Sequence, residues 1–524
     1  MLKAPFAYKT GKKPRTTKMQ DEKPTPSDAA GVNRARSIIR GIGSLSVQSV
    51  LNAVLGFVLL VSLLRLLPAL DYGAYSSLSV TVGIVGSVSV FGLSYAPTKF
   101  LAAESASNPE AGWAAAKAAL LLTIGLSATA TLVVVGLAPF LSLFFMKDVS
   151  WTWVFYLGAL WLFTTPVQNV VQGIIQGMRR YSTLALVLLV SRIIAVGLAV
   201  GGLLLLHSLS IAVIGWGVYG LLFLAFSLPL MWSHLRHVKA SYGRVLGYSA
   251  PLGVTGLISV VASYADIVIV GGYLNPVSLG VYNAAITISG VLSAFFVAPL
   301  ATAFFAETSA SSHSPEEVSR GAALAFRFVF ITVLPASFVA SALASQLFSF
   351  FSGGGVYAAG VEPLEVITLF YVLSAVQLLL TYVLLGVGRT MPFLVIGLVG
   401  AVGDVVLALS LVPSFDLLGA AVSRVCVLAL GAGTSFYFAR SHLLEQANYR
   451  FLSKAVVSSA LPAAVVLTLS DFVSRRTLSL LPYTVVAVAV FLGCAKVLRL
   501  LNSEDRMFLE QSLPSQLKWV SRLL

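Results

Sequence analysis

The sequence predicts an all-α polytopic membrane protein of about fourteen transmembrane helices, arranged as two six-helix lobes related by a parallel repeat and followed by two C-terminal helices. Three observations predict it. Of the 524 residues, 58% are hydrophobic and only 10% are charged, whereas a typical soluble protein carries about a quarter charged residues. Apolar runs long enough to span a bilayer, roughly 20 residues for about 30 Å of hydrocarbon, recur along the chain from residue 40. Short motifs then recur in the same order about 207 residues apart.

Residues 1–40 open the chain with ten Lys or Arg, three acids and interspersed Pro and Thr. This composition reads as a disordered basic cytoplasmic tail that leans on anionic headgroups. It has no apolar h-region, so no cleaved signal peptide is expected. The hydropathy pattern then predicts helices over 44–67, 73–97, 113–138, 151–175, 181–206 and 211–233, which form an N-lobe within 41–236. Helices over 245–272, 278–305, 321–346, 362–387, 391–412 and 416–440 form a C-lobe within 244–440. Two more, over 452–470 and 478–500, occupy 450–500, and 501–524 form a cytoplasmic C-terminal tail. Internal Gly and Pro do not argue against these assignments, because both are tolerated in membrane helices.

The basic residues order the chain across the bilayer. With the N-terminus in the cytoplasm, 26 of the 34 Lys and Arg fall on the cytoplasmic side, Lys147, Arg475 and Arg476 fall outside, and Arg65, Lys117, Arg192, Arg327 and Arg424 lie within spans. This is the asymmetry of the positive-inside rule. It places both termini in the cytoplasm of a plasma-membrane protein and accounts for the net charge of +14 without a nucleic-acid partner.

The repeat is local but collinear. LPALDYGAYSSLSVTVG from Leu67 aligns without a gap on LNPVSLGVYNAAITISG from Leu274 and matches Gly73 with Gly280, Tyr75 with Tyr282 and Gly83 with Gly290. Gln168, Gly177 and Arg180 return as Gln377, Gly386 and Arg389, and APTKFLAAE from Ala96 is similar to APLATAFFAE from Ala298. An even number of helices separates matching points, so the halves share one orientation and enclose a cleft, which is the architecture of alternating access. Within the motif, Asp71 or Ser278 is expected to cap the incoming helix, the glycine to close the turn, and Tyr75 and Tyr282 to sit at the membrane interface.

Catalysis is not expected. No connection exceeds about twenty residues, no G-x-x-x-x-G-K-[ST] phosphate loop occurs, and His207, His234, His237, His313 and His442 form no metal-like or triad-like set. Cys426 and Cys494 each sit in an apolar run and imply no disulfide.

LLRLLPALDYGAYSSLSV, FGLSYAPTKFLAAE and QGIIQGMRRY, with YADIVIVGGYLNPVSLGVYNAA and LVPSFDLLGAAVSR in the second lobe, resemble Wzx-type polysaccharide flippases of the multidrug/oligosaccharidyl-lipid/polysaccharide exporter superfamily. The resemblance implies a two-lobe, fourteen-helix transporter that moves polyprenyl-linked oligosaccharides to the outer leaflet. Its alternatives are a cation-coupled multidrug antiporter of the same superfamily and, from another class, a membrane-embedded glycosyltransferase or ligase. It further implies a lipid-linked oligosaccharide and membrane lipids as partners, glycosyltransferases of the same pathway nearby, a monomer, and no cofactor, with a proton or sodium gradient as the candidate driving force.

Ionisable groups inside a membrane are functional candidates by default. Arg192 is the candidate grip for a substrate pyrophosphate, because a guanidinium matches phosphate oxygens bidentately. The competing reading is a hydrogen bond to Gln168, Asn169 or Gln172. Gln48 and Asn52, four apart on one helical face, are candidates for sugar hydroxyls together with Gln168 and Gln172. Arg65 and Asp266 are expected to meet as a gate at the outer seam, and Asp404 with Arg424 to form an ion pair within the second lobe. Asp404 as a proton or sodium site is the other reading of that residue. Glu362 and Glu365 open the tenth helix, where acids suit the N-terminal dipole.

Overall fold

The computed structural model describes residues 47–104, 107–297, 315–386, 391–440, 449–472 and 480–500. The basic tail, the C-terminal tail, the Ala298 repeat segment, Arg389, Arg475, Arg476, His313 and His442 lie outside these residues. Those described are helical throughout their long elements, and no strand occurs among them.

The first half contains α1 (Val47–Leu66), α2 (Ala69–Val90), α3 (Tyr95–Glu104), α4 (Pro109–Met146), α5 (Thr152–Gly177), α6 (Tyr181–Leu206) and α7 (Leu209–Leu235). The second contains α8 (Tyr242–Tyr273), α9 (Pro276–Leu292), α10 (Pro315–Ala342), the short α11 (Ala344–Ser352), α12 (Val361–Leu369) and α13 (Val372–Gly386). Then come α14 (391–415) and α15 (417–439), which are two arms of one helical run, Met391–Ala439, broken at Asp416 (φ 50°, ψ −132°). Gly403 on one arm lies beside Val427 and Leu430 on the other, so the run folds back on itself. The chain ends with α16 (Tyr449–Phe472) and α17 (Leu480–Val497).

Among the described residues, twelve helices are long and apolar enough to cross a membrane, or thirteen if the bent pair Gly355–Leu369 and Val372–Leu385 (41°) is one span. The Met391–Ala439 run counts once in that number, although at 1.5 Å per residue its 49 residues far exceed one bilayer. Two expected helices are interrupted. The expected 73–97 helix breaks after α2, where Phe91 and Gly92 take positive φ (37° and 70°), and resumes as α3. The expected 362–387 helix bends between α12 and α13.

The two ends of the bundle differ in charge. At the charge-rich end, Arg179 donates to Ala102 O (3.3 Å), Lys117 to Val238 O (2.9 Å), and Arg244 pairs with Glu104. The opposite, charge-poor end holds the α1–α2 and α8–α9 turns.

The repeated glycines sit inside helices and not in a turn. Gly73 is in the second turn of α2 and Gly280 in that of α9, and these helices cross there. A Cβ on Gly73 would collide with Pro276 O, and one on Gly280 would lie 2.9 Å from Gly73 N. The N-cap of α2 is Pro68, without a side-chain bond, and Asp71 lies in its first turn. Asn275 caps α9 by accepting from Ser278 N (2.8 Å). Neither Asp71 nor Ser278 is the cap, because each lies two or three residues inside its helix.

The crossing gives a paired test. Gly73→Ala should lower thermal stability by about 1–3 kcal/mol, since the new methyl meets backbone that cannot turn aside. Gly56→Ala, with nothing within 4 Å of its Cβ, should be neutral or slightly stabilising. Thermal unfolding of both variants in detergent is the measurement.

Candidate functional site

The seam between the halves is closed at the charge-poor end. Beyond the glycine crossing, Arg65 donates to Phe350 O from Nε (3.1 Å) and from Nη2. Lys147, past the end of α4, donates from Nζ to Gly271 O (3.1 Å) and Gly272 O (2.6 Å) in the last turn of α8. A cation on these terminal carbonyls completes the C-terminus of α8. Tyr72 meets Tyr357 edge-on (6.2 Å between centroids) across the same seam.

Further along the seam the two sides diverge. On α2, Gly83 receives the Tyr264 hydroxyl of α8 so closely that a Cβ would collide with it. Deeper still, a Cβ on Gly92 would lie 2.7 Å from Ser249 O. In the repeat register the matching residue of Gly83 is Gly290 on α9, and among the described residues nothing lies within 4 Å of where its Cβ would be.

Inside the first half a column of aromatic rings carries a guanidinium. Trp216 on α7 stacks on Trp161 of α5 (5.0 Å, 8°), and Trp161 stacks on Tyr75 of α2 (6.0 Å). Trp216 Nε1 donates to the Tyr75 hydroxyl at 2.7 Å. Arg192 on α6 places Cζ 4.0 Å from the centroid of Trp216 and 5.3 Å from that of Tyr219. The residue is 8% exposed, and among the described residues its Nε has no hydrogen-bond partner and no acid pairs with it. A desolvated cation–π contact of this kind is worth about 2 kcal/mol, well short of the hydration a buried guanidinium gives up. A void of about 10 Å³ beside it, lined by Leu59, Trp216 and Tyr219, has room for one water.

The second half holds a different buried charge group. Asp266 on α8 is 0% exposed. Its Oδ2 accepts from Arg424 Nη1 (2.6 Å) and from the Tyr282 hydroxyl (2.6 Å), and its Oδ1 accepts from Ile267 N (2.8 Å). Asp404 on α14, 2% exposed, accepts from Asp266 N (3.1 Å). A separate groove of about 840 Å³ between α14 and α15 is walled almost wholly by apolar side chains, among them Val395, Leu407, Leu430 and Phe438.

A profile of the polysaccharide biosynthesis protein family matches residues 62–354. The chain belongs to this family. Its fold is similar to those of solved transporters and flippases: lipid II flippase MurJ in an inward closed conformation superposes with a TM-score of 0.72 at 12% identity, covering 86% of this chain and 98% of that one. A multidrug resistance MATE family transporter in an inward-facing conformation gives 0.61 at 17% identity, over 78% of this chain and 100% of that one. A MOP superfamily transporter from Pyrococcus furiosus, described as having a binding pocket of reversed polarity, gives 0.54 at 17% identity, over 76% and 95%. No curated protein sequence matches the chain.

In this polysaccharide biosynthesis protein several expected contacts are replaced. Arg65 and Asp266 do not meet, because Asp266 faces α15 within its own half and is held by Arg424, while Arg65 is spent on Phe350 O. Arg424 likewise pairs with Asp266 and not with Asp404. Arg192 makes no hydrogen bond to Gln168, Asn169 or Gln172. Gln168 is buried and hydrogen-bonds Tyr219, the second ring beside Arg192. Gln48 is half-buried and Asn52 exposed on the segment of α1 toward the charge-rich end. Tyr75 and Tyr282 are buried hydrogen-bonding residues rather than interfacial anchors. Trp161, Trp216 and Tyr219 escaped the sequence reading, since single aromatic residues in apolar helices look like ordinary core. No sequence signal marks them: Trp161 and Trp216 meet the repeated Tyr75 only once α5 and α7 are packed on α2.

Stability cycles test these assignments. Asp266→Asn and Arg424→Met should couple by about 0.5–3 kcal/mol in a double-mutant cycle, and Arg424→Met alone should cost about 3–5 kcal/mol by stranding a buried carboxylate. Arg65→Met with Asp266→Asn should be additive within about 0.5 kcal/mol.

Proposed function

We propose that the chain is a flippase that carries a polyprenyl-linked oligosaccharide from the cytoplasmic to the outer leaflet of the cell membrane, by alternating access between two pseudo-symmetric halves. The observation that carries this reading is Arg192, a buried guanidinium with no acid, in a first half whose acids all lie at helix ends: Asp71 and Glu110 in first turns, Glu104 closing α3 and Asp148 just past α4. Such a half has a positive interior. It favours an anionic cargo, and a pyrophosphate supplies the oxygens that a planar guanidinium grips in pairs. A cation-coupled multidrug antiporter shares the fold but calls for acids in that interior. The polysaccharide biosynthesis family favours a sugar cargo.

A lipid-linked sugar needs a cleft with a lateral opening. The register of the repeat makes the α1–α9 seam the counterpart of the α2–α8 seam. The open space at Gly290, against the packed Gly83, favours α1–α9 as the side through which the polyprenyl chain trails into lipid. Asn52 and Gln48 lie on α1 along that path, suited to sugar hydroxyls. The charge-poor end is the outer one by the positive-inside rule, which puts both termini in the cytoplasm. Counting the folded-back α14 and α15 separately, and the bent pair α12–α13 as one span, gives fourteen crossings. A monomer supplied by glycosyltransferases of the same pathway completes the reading.

Reconstitution tests it. Liposomes loaded with polyprenyl-pyrophosphate-linked sugar should show protein-dependent appearance of sugar in the opposite leaflet, and cationic dye efflux in its place would favour the antiporter. Arg192→Lys should slow transport by about tenfold, the equivalent of one charge-assisted hydrogen bond of about 1.5 kcal/mol, while the protein still folds and inserts in the membrane. Cysteines at Ser150 and Ser241 should be labelled from outside and inside respectively. Gly290→Ile should fold normally and impair transport, whereas Gly83→Ile should lose stability against Tyr264.

A further inference from the structure

We propose that the groove between α14 and α15 holds one anionic phospholipid of the cytoplasmic leaflet, with an acyl chain in the groove and the phosphate on Arg440. The site depends on the membrane setting and on the charge difference between the two ends of the bundle; it does not depend on the flippase reading.

The depth of the groove follows from its neighbours. α14 runs alongside α8 in the same direction: a Cβ on Gly397 would lie 3.3 Å from Ile258 and one on Gly400 3.8 Å from Ala262, and Asp404 accepts from Asp266 N. α8 begins at the charge-rich end, where Arg244 pairs with Glu104. The start of α14 and the end of α15 therefore stand at that end, and the break at Asp416 stands at the other. The groove of about 840 Å³ is bounded by Leu407 and Cys426 on the deep side and by Val395 and Phe438 toward the charge-rich end. From Cys426 to Phe438 the helix rises about 18 Å, against about 15 Å for the hydrocarbon of one leaflet. A linear acyl chain anchored at the cytoplasmic surface ends where the groove ends. A polyprenyl chain, methyl-branched in every unit and longer than a leaflet, overruns it.

The lining selects a chain and the mouth selects a charge. Cys426, Ala429 and Gly433 form a floor of small residues, and nothing described lies within 4 Å of where a Cβ on Gly433 would be. Leu430 and Tyr437 are exposed, so the groove opens outward. The Thr434 hydroxyl is spent on Leu430 O (2.7 Å). An empty apolar trench forfeits the dispersion contacts of its walls, and a lipid chain restores them. A second copy of the protein fits poorly, because a concave face meeting itself leaves a void. At the mouth stands Arg440, exposed, with Cζ 4.6 Å from the centroid of Tyr437; among the described residues no acid pairs with it. Tyrosine suits the headgroup level, a guanidinium donates to phosphate oxygens in pairs, and anionic lipids of the cytoplasmic leaflet are drawn to such cations.

Native mass spectrometry tests the site, with delipidated protein titrated by phosphatidylglycerol or by phosphatidylcholine of the same chains. The wild type should hold one phosphatidylglycerol after the other lipids are stripped. Its preference over phosphatidylcholine should be about fivefold, the equivalent of about 1 kcal/mol for one arginine at the headgroups. Arg440→Gln should remove the preference and keep a bound lipid, and Gly433→Leu, which fills the groove, should lose it. A second readout uses no groove variant. With Cys494→Ser, Cys426 is the one thiol left, and phosphatidylglycerol at ten times its Kd should slow its alkylation by N-ethylmaleimide about tenfold. Lipids that leave with none held back, a folded Gly433→Leu that keeps its lipid, a preference that survives Arg440→Gln, or unprotected Cys426 overturns the proposal. So does a dimer that excludes the lipid, or a polyprenyl phosphate that displaces phosphatidylglycerol at equal concentration.

Discussion

Two helices in lipid gain nothing by hiding apolar surface from each other, because the surrounding chains are equally apolar; they hold together through close packing and a few polar bonds. The crossing of α2 over α9 meets this condition in the simplest way. With no side chain at Gly73, the helix rests on the main chain of Pro276 and Gly280, so the halves touch backbone to backbone. The Arg65 and Lys147 bonds and the Tyr72–Tyr357 contact gather around that point. The same repeated position in each half supplies both sides of the contact, which is why the motif occurs twice.

From that shared frame the halves differ in how they handle charge. Tyr75 and Tyr282 occupy the same register, yet Tyr75 accepts from an indole and Tyr282 donates to a carboxylate. In the register of 207 residues, Asp266 corresponds to Leu59, a wall of the void at Arg192. The second half thus carries an acid where the first carries a leucine. One half closes its charges on themselves, and the other leaves a cation seeking a partner.

Much of the frame was legible in the sequence. Hydropathy marked the long helices because each must be apolar for a full bilayer thickness, and the repeated motif drew attention to Gly73 and Gly280, which meet where α2 crosses α9. The partners of individual residues were not legible. Depth along a helix can be counted, so Arg65 and Asp266 looked matched; azimuth cannot be assigned without knowing the neighbours, and it is azimuth that turns Asp266 toward Arg424. The repeated tyrosines looked interfacial because the adjacent turn is, whereas one helical turn further in they already face the interior. Breaks such as that at Phe91 and Gly92 were hidden because a glycine in a membrane helix usually interrupts nothing.

At the charge-poor end, both long cations that cross the seam dock on carbonyl oxygens, Arg65 on Phe350 and Lys147 on Gly271 and Gly272. Every amino acid brings a carbonyl. The accepting positions are therefore free to change side chain over evolutionary time without breaking the clasp, so long as the helix keeps its course. Correlated substitution between the two sides, the usual trace of a contact in related sequences, has nothing to act on here. The clasp constrains one residue of each pair and is silent about the other, so searches for coevolving positions would pass over the join that keeps this end of the molecule shut.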